Sequence, residues 1–185
     1  MEQETFDCDV LVVGTGASGM ATAVTAASQG LKVLVVEKEP LFGGTTARSG
    51  GWLWIPNTRL ATEQGINEPP GAAREYLKHE ATTHFDAARV DAFLENGPKA
   101  IDFFTRNTPV QFDMPAVFPD YHAEAVGGQM AGRSMAFASS VLPVPGSPYS
   151  NKPLMNCPPI FWNFSRSESS EIHWRTILIR FGCPL

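Results

Sequence analysis

The sequence predicts an α/β chain that opens on a strand-helix-strand unit, carries a helical insertion and ends in an irregular carboxy-terminal tail. Three observations carry that prediction. Two short apolar runs, Val10–Val13 and Lys32–Val36, are strand-sized and rich in β-branched residues. The Ala-rich stretch between them, Ser18 to Gln29, reads as a helix, and Gly30 follows where a left-handed residue is wanted after a helix end. Beyond Ala138, 7 of the 15 prolines and 8 serines fall within 47 residues, a mixture that defeats long helices and central strands alike.

Taken in order, Val10–Val13 (VLVV) reads as a buried central strand of a parallel sheet, and Lys32–Val36 (KVLVV) as a second buried strand. With the helix between them they form a βαβ unit of about 30 residues. The run Trp52-Leu53-Trp54-Ile55 reads as packed chain. Ala72–Lys78, Ala87–Asn96 and Pro98–Asn107 read as three helices, with Gly97 ending the second. Pro98 would open the third, at the one helical position where its missing N–H costs nothing. Val110–Phe112 is a short strand candidate, and Asp113–Arg133 a loop with two glycine-bearing bends. In the tail, Trp174–Phe181 (WRTILIRF) suits one strand or a short helix, but the prolines argue that nothing after Ala138 joins the first sheet. The expected division is therefore a partial domain over 1–138 and a Pro/Ser-rich tail over 139–185.

Composition narrows the function. A chain of 185 residues, 43% hydrophobic and 18% charged, can bury one core of ordinary size. Its net charge of −5 gives no field that would gather phosphate backbones, so nucleic acid is not an expected partner. Met1–Asp9 holds two glutamates and two aspartates, unlike an export signal, and no apolar run approaches the roughly 20 residues of a transmembrane segment. Cys8, Cys157 and Cys183 form no CxxC pair, which suits a reducing compartment; the cytoplasm is the expected location. His79, His84, His122 and His173 lack metal-ligand spacing, and no metal is expected.

The chemistry sits just after the first strand. Gly14-Thr15-Gly16-Ala17-Ser18-Gly19 is a G-x-G-x-x-G between a strand and an Ala-rich helix. Gly14 permits a tight turn, Gly16 lets the main chain approach a pyrophosphate, and Gly19 lets helix and strand pack closely. The helix start offers N–H groups and partial positive charge to phosphate. Glu37, at the end of the second strand, stands where an acidic residue accepts hydrogen bonds from ribose hydroxyls and would repel a 2′-phosphate. Glycine turns also occur in units that bind nothing, but strand, helix and terminal acid together favour a dinucleotide.

Glu37 to Gly51 (EKEPLFGGTTARSGG) then brings a second glycine- and hydroxyl-rich loop directly after the second strand. A nicotinamide dinucleotide needs no such loop there. A flavin dinucleotide does, because its ribityl chain and ring reach past the first phosphates and need donors beside a close main chain. The bland alternative is a flexible Gly/Thr linker.

VVGTGASGMATA, VVEKEPLFGGTTARSGG and WLWIPN, between Val10 and Asn57, resemble the flavoprotein family of fumarate reductase flavoprotein subunits and 3-ketosteroid dehydrogenases. The ketosteroid branch is the nearer, and FLENGPKAIDFF, PDYHAEAVGG and GRSM extend the resemblance to Ala138. The resemblance implies a Rossmann-like FAD-binding domain, here incomplete, since family members are considerably longer. It implies FAD held through Gly14, Gly16, Ala17, Ser18, Gly19, Glu37, Lys38, Gly43, Gly44, Thr45, Thr46, Ser49, Gly50 and Gly51. Members with covalent flavin carry a histidine where this chain has Gly44, so noncovalent FAD is implied. That branch desaturates a ring beside a carbonyl, and Tyr121, in PDYH, matches a tyrosine at its substrate pocket. A solvent-facing loop aromatic is the plain alternative for Tyr121. Two function classes follow: the FAD-binding portion of an oxidoreductase acting on a steroid or dicarboxylate, or a truncated, inactive dinucleotide-binding fragment. The shift in composition after Ala138 suggests a frameshift, a splice difference or a misjoined gene end.

Overall fold

A computed structural model of the chain describes residues 6–138, 164–165 and 175–179. In chain order the elements are β1 (Val10–Val13), α1 (Ala17–Ser28), β2 (Val33–Glu37), β3 (Trp52–Trp54), α2 (Arg59–Glu63), α3 (Ala72–Ala81), α4 (Ala87–Asn107), β4 (Phe112–Asp113), β5 (Ser134–Phe137), β6 (Phe164–Ser165) and β7 (Arg175–Ile179). They fall into two compact units, Met1–Gly50 with Pro153–Leu185, and Gly51–Lys152.

The first unit is built on a sheet of order β1-β2-β7-β6. β1 and β2 run parallel, with Val12 beside Val35. Because side chains alternate along a strand, Val10, Val12, Val33 and Val35 share one face, and α1 lays Ala23 and Ala27 on it. Alanine has no side chain beyond Cβ, so it lets a helix lie close to the sheet, and Ala23 is fully buried. β1 is a correction to the expected central strand. It stands at the sheet edge, with Leu11 and Val13 56% and 63% exposed. Among the described residues no strand pairs with its outer side. A second difference concerns the tail. β7 is a strand within Trp174–Phe181 and pairs antiparallel with β2, Leu34 beside Leu178, so part of the chain after Ala138 does join this sheet. The proline-rich stretch 139–163 lies outside the described residues.

The second unit packs helices against a three-stranded antiparallel sheet of order β3-β5-β4. Met135, Phe112, Ile101 and Ala61 are the buried centre of its core, with Leu53, Ile55 and Phe104 against them. β5 was not visible in the sequence: Ser-Met-Ala-Phe shows no alternation, and its two neighbours on the sheet are what make it a strand. The expected helix break at Gly97-Pro98 is also corrected. α4 runs unbroken through Pro98 from an Asp86 cap, whose carboxylate accepts from Arg89 N–H at 3.2 Å. An internal proline costs about 3 kcal/mol, and the apolar contacts of Ile101 and Phe104 offset it. Gly97 serves packing instead: a Cβ there would lie 3.0 Å from Ile55 Cγ2. Asp113, expected in the loop, is the second residue of β4, and the chain from Met114 to Arg133 is loop as expected. No helix among the described residues is long and apolar enough to cross a membrane.

Candidate cofactor site

The chain must reverse from β1 into α1 within three residues. Gly14 makes the turn at φ +95°, a left-handed conformation that side chains disfavour, and its N–H donates to Val36 O at 2.7 Å. Gly16 is the N-cap of α1 and has no side chain to offer, so the helix starts without a side-chain cap. Thr46 Oγ1 accepts the N–H of Ala17 at 3.1 Å. The amides of Ser18 and Gly19 complete a first turn whose N–H groups have no partner inside the helix. A Cβ on Gly16 would meet nothing within 4 Å, so open space lies against this helix end. Gly19 is different, since its Cβ would sit 2.1 Å from Gly14 O. One glycine leaves room for a ligand, and the other lets helix and strand touch.

Glu37 does more than the sequence suggests. Its carboxylate accepts from Thr15 N–H at 2.9 Å, from the Thr15 hydroxyl, and from Glu39 N–H at 3.1 Å. The Thr15 hydroxyl bond above all, with the Glu39 amide, holds this buried carboxyl below the usual range, against desolvation that would raise it. Thr15 Oγ1 in turn accepts from Gly43 N–H at 2.7 Å. The middle residue of the first glycine turn thereby ties together the end of β2 and the second glycine loop. The Lys38 amide also lies toward this carboxylate, so Glu37 is held by donors of its own chain on every side that β2 and the turn supply. Sequence reasoning missed Thr15, because one hydroxyl residue between two glycines forms no pattern.

The second loop is ordered, not a slack linker. Gly43 adopts φ +102° and Gly44 φ +55°, and Gly44 packs on the first turn, its Cβ position 3.5 Å from Gly16 Cα. Thr45 leads into a 3-10 turn over Thr46–Arg48, and Ser49 Oγ closes it on Thr46 O at 2.7 Å. The structure thus joins Gly14, Gly16, Ala17, Glu37, Gly43, Gly44 and Thr46 into one cradle. Lys38 is exposed, 3.8 Å from the Glu39 carboxylate. Gly50 ends the first unit, and Gly51, at φ +73°, opens the second.

Tyr121 belongs to the second unit and is 99% exposed on the loop before β5. Arg133, in the segment GRSM, is buried on Glu68 and Asp120, a cluster with no spacing signal in the sequence. Glu80 accepts from His122 at 2.8 Å and His79 at 3.1 Å, which raises the His122 pKa through the Glu80 hydrogen bond and charge.

Uncapped amides, a glycine with open space before it and a second glycine loop packed on the first fit the pyrophosphate of a dinucleotide. Comparison with known proteins agrees. Residues 9–149 match the model of an FAD binding domain family. The chain is 47% identical over 134 residues to 4-oxocyclohex-2-ene-1-carboxylate 5-dehydrogenase of Sinomonas cyclohexanicum, covering 72% of this chain and 22% of that protein. It is 44% identical to 3-oxosteroid 1-dehydrogenase of Mycobacterium tuberculosis, over 69% of this chain and 23% of the relative. The crystal structure of 3-ketosteroid delta1-dehydrogenase from Sterolibacterium denitrificans, in complex with 1,4-androstadiene-3,17-dione, superposes with a TM-score of 0.63 at 37% identity, over 71% of this chain and 23% of that one. The chain spans less than a quarter of the length of these relatives. Within that span it belongs to the FAD binding domain family, and its cofactor is FAD.

Proposed function

We propose that this chain is the FAD-holding portion of a flavin-dependent dehydrogenase acting on a carbonyl-activated CH–CH bond of a ring ketone, in the steroid class rather than the dicarboxylate class. The observation that carries this reading is the packing of Gly44 on Gly16 beside the uncapped start of α1. A mononucleotide would need only the first turn; the second loop supports a ligand that continues past its phosphates. The two relatives described above, which share this stretch, are named for ring-ketone oxidation, which supports the substrate class.

When bound, FAD supplies a hydride acceptor. The chain's own residues do the holding. Ser18 and Gly19 present amides to phosphate, Gly16 clears room for it, and Glu37 is assigned to the adenosine ribose hydroxyls. Thr46 and Ser49 line the second loop with hydroxyls, and Lys38, Thr45, Gly50 and Gly51 extend the same stretch. Gly44 provides no nucleophile for a covalent bond, so the flavin is held noncovalently. Tyr121 is assigned to the substrate, where its phenol oxygen can take up or return a proton. The cytoplasm suits the three unpaired-spacing thiols of the sequence. Residues 1–138 are assigned to the FAD-holding segment, and from 139–185 the strand β7 is added to its first sheet.

A second reading, a dinucleotide-binding fragment without turnover, is favoured by the open face of β1, where Leu11 and Val13 stand in solvent. One experiment separates the two. The purified 185-residue chain is expected to show an oxidised-flavin band at one flavin per chain, released by acid and absent in Gly16→Val. It is then given a 3-ketosteroid and an electron acceptor. Turnover supports the dehydrogenase, a flavin band without turnover the fragment, and a wild-type chain that takes up no flavin overturns both.

A further inference from the structure

The loop that carries Tyr121 is fastened far more firmly than its exposure suggests. Its neck is closed by Phe118 N–H on Met130 O at 3.1 Å and Asp120 N–H on Gln129 O at 2.9 Å. The Asp120 side chain completes the closure. Oδ2 accepts Gln129 N–H at 3.0 Å and Arg133 Nη1 at 2.6 Å, and Oδ1 accepts Trp54 Nε1 of β3 at 2.7 Å. Arg133, 1% exposed, forks Glu68 through Nε at 3.0 Å and Nη2 at 2.7 Å, and Nη2 also reaches Gly127 O at 2.7 Å. Its guanidinium lies 5.3 Å from the Trp54 ring and 5.4 Å from the Tyr76 ring. The loop is also pressed on α3. Gly127, at φ +75°, comes so near that a Cβ would stand 2.2 Å from Ala72 O, while His122 N–H donates to Tyr76 Oη at 3.4 Å.

A loop built only for stability would turn its aromatic residue inward, where a tyrosine buries much of its surface. Here the aromatic residue between anchored Asp120 and anchored His122 is the one left in solvent. A buried arginine with two carboxylates contributes little net stability, because desolvation consumes most of the attraction. What such a cluster does supply is a fixed backbone geometry.

We infer that Arg133 and Asp120 are positioning residues for Tyr121: they hold residues 120–129 as a preformed pedestal that presents the Tyr121 ring to a ligand. This rests on the assignment of Tyr121 to the substrate made above. Neither residue touches the ligand in this arrangement; both act through the backbone of Tyr121.

The test uses the 185-residue chain loaded with FAD and labelled with 15N-tyrosine, the Tyr121 amide being assigned by its loss in Tyr121→Phe. The wild-type amide of Tyr121 should have an order parameter of about 0.85, and Arg133→Lys and Asp120→Asn should lower it below about 0.6. The Tyr76 amide, in α3, should stay near its wild-type value. Dissociation constants for 1,4-androstadiene-3,17-dione, read from the flavin spectrum, should rise at least tenfold in Arg133→Lys and in Tyr121→Ala, and no further in the double variant. An unchanged Tyr121 order parameter in both Arg133→Lys and Asp120→Asn overturns the inference. So does loss of order at Tyr76 as well, which would make Arg133 a general support of the unit. If order falls at Tyr121 alone while Tyr121→Ala binds the ketosteroid normally, the pedestal stands and the substrate assignment of Tyr121 falls.

Discussion

The tetrapeptide Val-Leu-Val-Val occurs twice, as β1 and as Val33–Val36 of β2, and the two copies lie side by side in register. On the face that α1 covers they behave alike, with Val12 and Val35 both buried. On the other face they diverge: Leu34 is buried, whereas Leu11 and Val13 stand mostly in solvent. The side chains are identical, so the difference comes from neighbours. β2 has β1 on one side and β7 on the other, and among the described residues β1 has a strand partner on one side only. A buried-strand signature therefore reports what a segment tolerates, and what covers it is decided elsewhere in the chain.

The comparison breaks most severely if α1 is pushed off the shared face. Gly19→Val would drive a branched side chain into Gly14 O, and it should destabilise the first unit by about 3 kcal/mol in urea unfolding, with flavin lost as well. Gly16→Val should cost apo stability no more than about 1 kcal/mol, the loss of a glycine N-cap whose Cβ would meet open space, yet still abolish flavin uptake. Equal unfolding midpoints for Gly19→Val and wild type would show that helix and strand do not touch there.

Next in size, Val35→Ala removes two methyl groups from the fully buried centre of the shared face and should cost about 2 kcal/mol by the same measurement.

A smaller effect belongs to Glu37, which closes the same face. Its folded pKa is lowered, so its contribution is complete above the usual carboxylate value of about 4.3 and is lost as pH falls through the lower folded value. Between pH 5 and pH 3 wild type should therefore lose about 1 kcal/mol more than Glu37→Gln, the scale of one buried hydrogen bond. Parallel stability curves for the two proteins across that window would exclude the Thr15–Glu37 link.

The smallest effect is on the open face. Val13→Ala should change stability by less than about 0.5 kcal/mol. A loss as large as that of Val35→Ala would mean that β1 is covered in solution after all.

The sequence was most legible where backbone demands and side-chain patterns coincide. β1, α1, β2 and the three glycines of the first turn could be read because turn geometry, phosphate approach and close packing each require glycine at a fixed spacing. Glu37 was legible as an acid at a strand end, but its grip on Thr15 was not, since one hydroxyl residue between glycines forms no pattern. α4 was misread as two helices because Gly97-Pro98 is a local breaker, and only the tertiary contacts of Ile101 and Phe104 outweigh it. β5 and the Arg133 cluster were invisible for the same reason: the strand partners of β5 and the carboxylate partners of Arg133 lie 13 to more than 80 residues away in sequence. Long-range pairing leaves no trace in a window of ten residues.

The missing cap of α1 has a thermodynamic consequence. A serine or aspartate at Gly16 would add only about a few tenths of a kcal/mol to the helix, and the chain forgoes it. With the pyrophosphate placed on these amides as proposed, the deficit falls on the empty protein alone, and cofactor binding and folding are linked equilibria. With free FAD at about 100 times its dissociation constant, the folded state gains about 2.7 kcal/mol. Cofactor supply then sets part of the stability of this domain.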